Sequence, residues 1–181
     1  MMDVHIESDR LLIRPYQLGD EQSIYEMNSD PEVQKYTGDT LVISLEQAKD
    51  ILENVILKDY KTHGYGRLAV VYKPDNKVIG FTGFKNLPEM NGETDLGYRF
   101  IPEYWGKGIA TESAIMSLKY GFEDLGLKTI YAFAEPDNIG SAKIIQKLGF
   151  SLLKVAPYPG EEDKGDVEWY SLTKDNYLKN K

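Results

Sequence analysis

Apolar positions along the chain follow two spacings, and the shorter spacing predicts β-strands. Seven short runs have strand character and are bounded by turn residues: 11–15, 67–72, 77–84, 94–100, 129–134, 150–155 and 167–172. The run 129–134 is apolar throughout, which is typical of a strand covered on both faces. Short connections between 67 and 100 predict an antiparallel meander, and 150–172 predicts a closing hairpin.

The longer spacing, with apolar residues three and four positions apart, predicts four helices. Asp20 is a candidate N-cap for the first helix, and Ser44 opens a capping-box pattern for the second, which we expect to end near Gly64. Gly126 ends the third helix, and Asn138 caps the fourth. The residues expected to face inward from the third and fourth helices are Ala110, Ala114, Ile115, Leu118, Phe122, Leu125, Ile144, Ile145 and Leu148.

A predicted helix separates the strand 94–100 from the strand 129–134, and this order determines how the two strands pair. Such strands lie parallel and are joined by a right-handed crossover. With 181 residues the chain can bury one sizeable core, and no linker or repeat divides it. We therefore predict an α/β fold in a single domain over 1–181. Its mixed, mostly antiparallel seven-stranded sheet should have helices on both faces.

Composition limits the chemistry and the partners of the protein. The chain has no cysteine, which excludes disulfides and a thiolate nucleophile. His5 and His63 have no partner at metal-ligand spacing, so we expect no metal site. The net charge of −8 disfavours nucleic acid and favours a cationic partner such as an amine or a basic protein tail, or it simply maintains solubility. No secretory signal or membrane-length apolar run is visible, which predicts a cytoplasmic protein.

The segment 104–112 joins a strand pattern to a helix pattern and has the chemistry of an anion site. Gly106 and Gly108 lack a β-carbon, so their backbone N–H groups can approach a ligand closely. The helix that follows adds unpaired N–H groups and the positive end of its dipole, which suit a phosphate or pyrophosphate. The chain lacks the Gly-x-Gly-x-x-Gly and Walker patterns of nucleotide-binding folds.

This loop forms a series with two other segments that resembles a known family. Leu96 to Pro102 precedes it, and Asn138 to Ser141 and then Leu148 to Phe150 follow it. In this order and spacing the chain resembles the GNAT superfamily of acyl-CoA N-acyltransferases over nearly its whole length. Trp105 followed by 106–112 is similar to the branch that contains the ribosomal-protein N-terminal acetyltransferases.

The resemblance implies a binding site for acetyl-CoA. The parallel strands should part at their middle, and the pantetheine arm should pair with the freed backbone at Phe100 and Ile101. Asn138 commonly hydrogen-bonds pantetheine in the family, although helix capping also explains an asparagine there. The implied pyrophosphate site comprises the backbone of Gly106, Lys107, Gly108, Ile109, Ala110 and Thr111. The lysines Lys107 and Lys143 are candidates to attract the phosphates.

Catalysis in the family is direct attack of a neutral amine on the thioester. Asp95 is the candidate base, at a place where this branch often has glutamate, and its shorter reach calls for a water relay. Glu93 is the alternate, and Asp95 could instead be a solvated carboxylate at the strand edge. Many members donate a proton from a tyrosine at the place that Ile145 holds here. Ser141 matches the serine proposed for that role in the ribosomal-protein branch, or is a small first-turn residue.

These inferences predict an acetyl-CoA-dependent N-acetyltransferase that acts on a primary amine in a ternary complex, as a monomer or homodimer. A protein N-terminus is the first acceptor class, because an α-amine loses its proton more easily than a lysine. Small amines such as polyamines, amino acids or aminoglycosides are the alternative, and a non-catalytic CoA-binding sensor is a second one. The tyrosines that would line the acceptor site, or else pack in the core, are Tyr16, Tyr25, Tyr36 and Tyr60.

Overall fold

A twisted mixed sheet of eight strands forms the centre of the protein, for which a computed structural model describes residues 2–181. The strands are β1 (Ile6–Glu7), β2 (Leu11–Pro15), β3 (Arg67–Tyr72), β4 (Lys77–Leu87), β5 (Glu93–Phe100), β6 (Thr129–Ala134), β7 (Ser151–Pro157) and β8 (Asp166–Thr173). They lie side by side in the order β1-β2-β3-β4-β5-β6-β8-β7. Only β5 and β6 are parallel among these neighbours, as the crossover helix predicts.

Seven α-helices connect or flank the strands in the described part of the chain. They are α1 (Glu21–Asn28), α2 (Pro31–Gln34), α3 (Leu45–Ile51), α4 (Leu57–His63), α5 (Ile109–Lys119), α6 (Ile139–Lys147) and α7 (Lys174–Lys179). A π-helical turn at Leu52–Ile56 joins α3 to α4, and a second at Tyr120–Asp124 extends α5. Gly64 and Gly126, both at positive φ, follow these two helical segments as predicted.

Helices pack on both faces of the sheet. Successive side chains of the central strands point to opposite faces, and both faces are buried under helices. On β3, Leu68 and Val70 join a core cluster with Ile109 of α5. Ala69 points the other way and packs with Ile24 of α1 and with the α3 region. The predicted α/β fold is therefore confirmed.

Four details differ from the sequence prediction. The four predicted helices correspond to α1, the α3–α4 segment, α5 and α6, and the short helices α2 and α7 were not predicted. The sheet has an eighth strand, β1, whose two residues are too few to give a hydrophobic pattern. Ile115 is 55% exposed, since it lies beside the stripe of α5 that Ala114 and Leu118 bury. Asp20 precedes α1, but its side chain caps no helix N–H. Its carboxylate instead accepts a hydrogen bond from the Gln17 N–H at 2.9 Å and two from the Arg14 guanidinium.

The parallel pair β5 and β6 separates almost as soon as it forms. Asp95 and Tyr131 are the one pair of residues in register between these strands. Each strand stays fully paired with its other neighbour, β5 with β4 and β6 with β8. From Leu96 onward, β5 therefore has a backbone edge facing β6 without a ladder partner, and a cavity lined by the loop before α5 and the start of α6 lies beside it.

Within residues 2–181, no helix combines the length and the apolar character needed to cross a membrane. The same residues contain no group of three or more His, Asp or Glu side chains placed to hold a metal ion.

Candidate functional site

A cavity of about 860 Å³ occupies the gap between β5 and β6. Its walls come from the second half of β5, the glycine loop, the first turn of α6, and two outer segments, 32–39 and 158–167. The two outer segments approach each other, since a β-carbon on Gly38 would lie 3.9 Å from the Lys164 side chain. The cavity therefore reaches from the glycine loop to a narrow region under these segments.

Eight of the residues predicted to bind the cofactor line this cavity: Phe100, Gly106, Gly108, Ile109, Ala110, Thr111, Asn138 and Ser141. Ile101, Lys107 and Lys143 lie outside its lining. The Lys107 ammonium is 5.0 Å from the Tyr104 ring. Several backbone groups at the end of β5 already have partners, because the Phe100 carbonyl accepts from Trp105 Nε1 at 2.7 Å and the Ile101 N–H donates to Ile79. A pantetheine contact at Phe100 and Ile101 stays a prediction.

The glycine loop has the left-handed backbone that its sequence predicts, with φ of 70° at Gly106 and 74° at Gly108. A β-carbon on Gly106 would meet nothing within 4 Å, so this side of the loop is open. An arginine that sequence reasoning missed stabilises the loop from behind. Arg10 Nη2 donates to the Lys107 carbonyl at 2.8 Å, and Arg10 Nε donates to Glu112 Oε2 at 2.7 Å. This arrangement fits a diphosphate that lies on the N–H groups at the start of α5.

Two hydroxyl groups meet at the start of α6. Asn138 Oδ1 accepts from the Ser141 N–H at 3.1 Å, which confirms that Asn138 caps this helix. Ser141 Oγ lies 3.2 Å from the Tyr98 hydroxyl. Burial raises the pKa of Tyr98 to about 12, partly offset by its hydrogen bond to Ser141. Ile145, by contrast, is a core residue at 2% exposure. Sequence reasoning missed Tyr98, although the Gly97-Tyr98 pair on β5 was a signal for it.

Asp95 lies at the point where β5 and β6 part, and it is buried at 5% exposure. Its Oδ2 accepts from the Tyr158 hydroxyl at 3.1 Å, and its Oδ1 lies 3.0 Å from Arg67 Nη2. Oδ1 has an ion-pair partner but no well-aligned hydrogen bond. Burial and the adjacent carboxylate both raise the pKa of Tyr158. The interpretation of Asp95 as a solvated edge residue is therefore wrong, whereas Glu93 is exposed at the start of β5.

One glycine makes room for the arginine that reaches Asp95, and a second glycine accepts a hydrogen bond from it. The Arg67 guanidinium lies across Gly97, where a β-carbon would be 2.4 Å from Arg67 Nη1. The same Nη1 donates to the Gly83 carbonyl at 2.8 Å, and Gly83 is paired with Gly97 across β4 and β5. Any side chain at position 97 would occupy the space of the guanidinium.

A second arginine, Arg99, lies on β5 two residues after Gly97, and its side chain is on the same face of the strand as Asp95. It donates to Asn28 Oδ1 at 2.6 Å and to Asp39 Oδ2 at 2.8 Å. Burial lowers the pKa of Arg99, and Asp39 opposes this effect. The guanidinium carbons of Arg67 and Arg99 lie 5.3 Å and 5.5 Å from the centre of the Phe81 ring.

The charged lining of the cavity is balanced although the chain as a whole is acidic. Five cationic and five anionic side chains line it: Lys35, Arg67, Lys85, Arg99, Lys164, Glu32, Asp39, Asp95, Glu135 and Glu161. Of the four tyrosines predicted for an acceptor site, Tyr36 lines the cavity. Tyr16 is a core residue, whose hydroxyl donates to the Gly80 carbonyl at 3.1 Å. The lining therefore offers hydrogen-bond donors on the α6 side and paired charges on the β3 side.

A sheet with one parallel pair that parts beside a glycine-rich helix start defines the class of acyl-CoA transferases. The family described as acetyltransferase (GNAT) domain matches residues 10–151, and the chain belongs to this family. It is 34% identical over 177 residues to the uncharacterized N-acetyltransferase p20 of Bacillus licheniformis, a match that covers 94% of this chain and 96% of that protein. The protein is an acetyl-CoA-dependent N-acetyltransferase.

Solved structures share the fold over nearly the full chain. A GNAT acetyltransferase from Bacillus anthracis has a TM-score of 0.78 at 26% identity, covering 95% of this chain and 99% of that one. The spermidine N-acetyltransferase of Vibrio cholerae, solved with CoA and spermine, has a TM-score of 0.77 at 20% identity and covers 94% of this chain and 99% of its own. The ribosomal-protein-S5-alanine acetyltransferase of Vibrio fischeri has a TM-score of 0.76 at 22% identity and covers 97% and 99%. The last two show the fold alone.

Proposed function

We propose that this N-acetyltransferase acetylates an α-amine, with a protein or peptide N-terminus as the first acceptor class. The observation that carries the proposal is the state of Asp95. It is the one buried carboxylate among the five that line the cavity, and both of its oxygens already have partners. Direct access of an acceptor amine to this carboxylate is therefore restricted by Tyr158 and Arg67.

The acceptor's own acidity decides how much help the enzyme must give. At pH 7, deprotonating an α-amine with a pKa of about 8 costs about 1.4 kcal/mol, whereas a lysine or alkylamine at about 10.4 costs about 4.6 kcal/mol. The difference of about 3 kcal/mol is a factor of more than about 100 in the reactive neutral fraction. A site with little free base thus suits an α-amine. Asp95 acting through a water remains the candidate base, with Glu93 as the alternate.

On the donor side, the glycine loop offers N–H groups for the pyrophosphate, and the free edge of β5 offers backbone groups for pantetheine. Acetyl-CoA supplies the thioester carbon that the amine attacks; a C–N bond forms as the C–S bond breaks. In this proposal Ser141 and Tyr98, whose hydroxyl oxygens lie 3.2 Å apart, are the candidate hydrogen-bond donors to the leaving sulfur. Asn138 fixes the turn that positions Ser141.

Tyr98 acts as a hydrogen-bond donor rather than as the final source of the proton. With its pKa at about 12 and a thiol pKa of about 8.5, full transfer to the thiolate would be uphill by about 4.8 kcal/mol. The acceptor's ammonium is the better acid by several units, so its proton, carried through water, neutralises the sulfur. The hydroxyl groups lower the barrier by stabilising charge that develops on the sulfur.

A thiol-release assay with a panel of amines tests the proposal. The panel contains N-terminal peptides, free amino acids, an α-blocked lysine, spermidine and an aminoglycoside. We expect turnover with the α-amines and a kcat/KM that rises with pH as they deprotonate near pH 8. Turnover confined to spermidine or the lysine side chain would refute the proposal. Acetyl-CoA binding without turnover of any amine would favour a sensor.

Polyamines are the second candidate acceptors. The net charge of −8 attracts them at long range, and one protein of the same fold is a spermidine N-acetyltransferase. The balanced cavity with two arginines opposes them at short range, because a polycation would meet Arg67 and Arg99. The spermidine arm of the same assay decides between the two acceptor classes.

A further inference from the structure

We propose that Arg67 and Arg99 form a subsite that binds a carboxylate of the acceptor. Resting on the proposed α-amine acetylation, this proposal narrows the substrate to molecules that carry both an α-amine and an acid group. A free amino acid offers its α-carboxylate, and a peptide offers an acidic side chain near its N-terminus. Both sources present the same chemistry to the two guanidinium groups.

The two arginines are placed where an acceptor must lie. Both line the cavity, and Arg67 contacts Asp95 at the point where β5 and β6 part. Their side chains are 21% and 18% exposed, so they are largely desolvated yet reachable from the cavity. Both guanidinium groups face the ring of Phe81, which gives the subsite an apolar floor. A carboxylate bound there would leave its α-amine near the free edge of β5.

The position of Arg67 depends on the sequence around it. The guanidinium occupies space that exists because residue 97 is glycine, and the Gly83 carbonyl holds one of its nitrogens. A surface arginine needs no such clearance. This local construction indicates a site that requires a guanidinium at this place.

Each guanidinium retains hydrogen-bonding capacity. A guanidinium carries five N–H groups in a planar fork that matches a carboxylate. In the described part of the chain, Arg67 directs two of its nitrogens to Gly83 and Asp95, and Arg99 directs two to Asn28 and Asp39. The remaining N–H groups of each fork are available to a ligand in the cavity.

Asp39 forms an ion pair with Arg99, and an acceptor carboxylate can replace Asp39 in that pair. Its side chain is 57% exposed and lies in the segment between α2 and α3, at the outer wall of the cavity. An ion pair with such an exposed partner contributes little, so Asp39 can return to water at small cost. Arg67 then keeps its pairing with Asp95, whereas Arg99 is left without a carboxylate partner, and the acceptor's carboxylate restores neutrality.

The experiment compares matched acceptors in the thiol-release assay. One pair is a free amino acid and its amide, and the other is a peptide with Asp or Asn at its second position. Because the α-carboxylate of the free amino acid raises the pKa of its ammonium group, kcat/KM is compared per neutral amine. We expect the wild-type enzyme to prefer the acid of at least one pair by about 10- to 100-fold in kcat/KM, as for a charge-assisted hydrogen-bonded pair. The pair that shows the preference identifies the source of the carboxylate.

Variants then assign the preference to the arginines. Arg99→Gln should raise KM for the acidic acceptor by about tenfold or more relative to KM for its amide or Asn counterpart, whatever general loss the variant suffers. Arg99→Lys should retain part of the preference, because it keeps the charge and loses the fork. Asp39→Asn should lower KM for the acidic acceptor by removing its competitor. Lys61→Gln, an exposed charge on α4, is the matched control and should behave as the wild type.

The outcomes separate this proposal from the proposed function. Equal turnover of acid and amide in both pairs would refute the carboxylate subsite and leave α-amine acetylation intact, as would an Arg99→Gln effect of equal size on both members. Because activity on the neutral acceptors is an internal control, a folding defect of Arg99→Gln cannot imitate a selective loss. Turnover of spermidine with none of the α-amines would refute both proposals.

Discussion

Tyr98 and Ser141 share a hydrogen bond between side chains that come from β5 and from the first turn of α6. The family resemblance pointed to Ser141, but the phenol beside it depends on how a strand residue and a helix residue 43 positions apart are packed. Ile145 stands at the position that carries a tyrosine in many family members, and it is a buried core residue here. A hydroxyl from another element, that of Tyr98 on β5, contacts Ser141 instead.

Substitution of these hydroxyls tests their contribution. Tyr98→Phe should lower kcat by about tenfold or more, since a hydrogen bond to a charged group is worth about 1.5–3 kcal/mol. Ser141→Ala should have a smaller effect, and the double variant should be less than additive because the two groups share a hydrogen bond. Tyr72→Phe is the control. Unchanged kcat in Tyr98→Phe and Ser141→Ala would remove both from the mechanism.

The pH dependence of Tyr98 has a definite sign. Because its pKa is raised to about 12, above the ordinary value of about 10, the phenol stays protonated and able to donate through the working range. We therefore expect no descending alkaline limb of kcat from this residue below about pH 10. The same shift favours the folded state below pH 10, and this contribution declines between pH 10 and 12. A kcat profile at saturating substrates measures the first effect.

Gly97 determines whether Arg67 can reach Asp95. Gly97→Ala should destabilise the protein by about 1–3 kcal/mol, because the new methyl group overlaps the guanidinium. Denaturant unfolding measures this loss. If the overlap with the guanidinium is the cause, Gly97→Ala should lower the free energy of unfolding much less in an Arg67→Ala background. An equal cost in both backgrounds would place the strain elsewhere.

At the scale of elements, the glycine loop and α5 form one unit with the N-terminal segment. The turn itself follows from Gly106 and Gly108, whose positive φ few other residues tolerate. The attachment of this turn to the N-terminal segment cannot be deduced from local sequence, because Arg10 lies 97 positions before Lys107, whose carbonyl it binds. Strand and helix boundaries followed the sequence closely, since they depend on local periodicity and on capping residues such as Ser44 and Asn138.

Removal of Arg10 should affect the donor site selectively. Its ion pair with Glu112 is partly exposed, so Arg10→Ala should cost less than about 1 kcal/mol in stability. The loop loses its support, and KM for acetyl-CoA should rise by about three- to tenfold while KM for the acceptor stays constant. Lys49→Gln, an exposed charge on α3, is the control. A change in the acceptor KM alone would contradict this role.

At the scale of the whole molecule, the defining feature is the parting of β5 and β6 after one pair of residues in register. Both strands remain paired on their outer sides, so the sheet stays continuous while a free edge lines the cavity. A single domain over 1–181, a monomeric or dimeric state and a cytoplasmic location remain predictions from the sequence.

Binding of acetyl-CoA in this gap should stabilise the folded protein. At 100 times its dissociation constant, a ligand of the native state adds about 2.7 kcal/mol, which corresponds to a rise in Tm of about 5–10 °C for a chain of this size. Thermal unfolding with and without acetyl-CoA measures the shift. Pantetheine alone, which lacks the pyrophosphate, should give a smaller one. Equal shifts would argue against a diphosphate site at the glycine loop.

The sequence by itself determined seven of the strands, four of the helical segments, the parallel pair and the glycine loop, because hydrophobic period, turn residues and caps act over a few neighbouring positions. Only the tertiary structure decided that Asp95 is buried against Arg67 and Tyr158, and that Arg99 lies beside Phe81. Those contacts join residues from separate strands and loops, so they depend on sheet register and on the space that Gly97 leaves. No pattern among neighbouring residues in the sequence determines a contact between residues that lie so far apart along the chain.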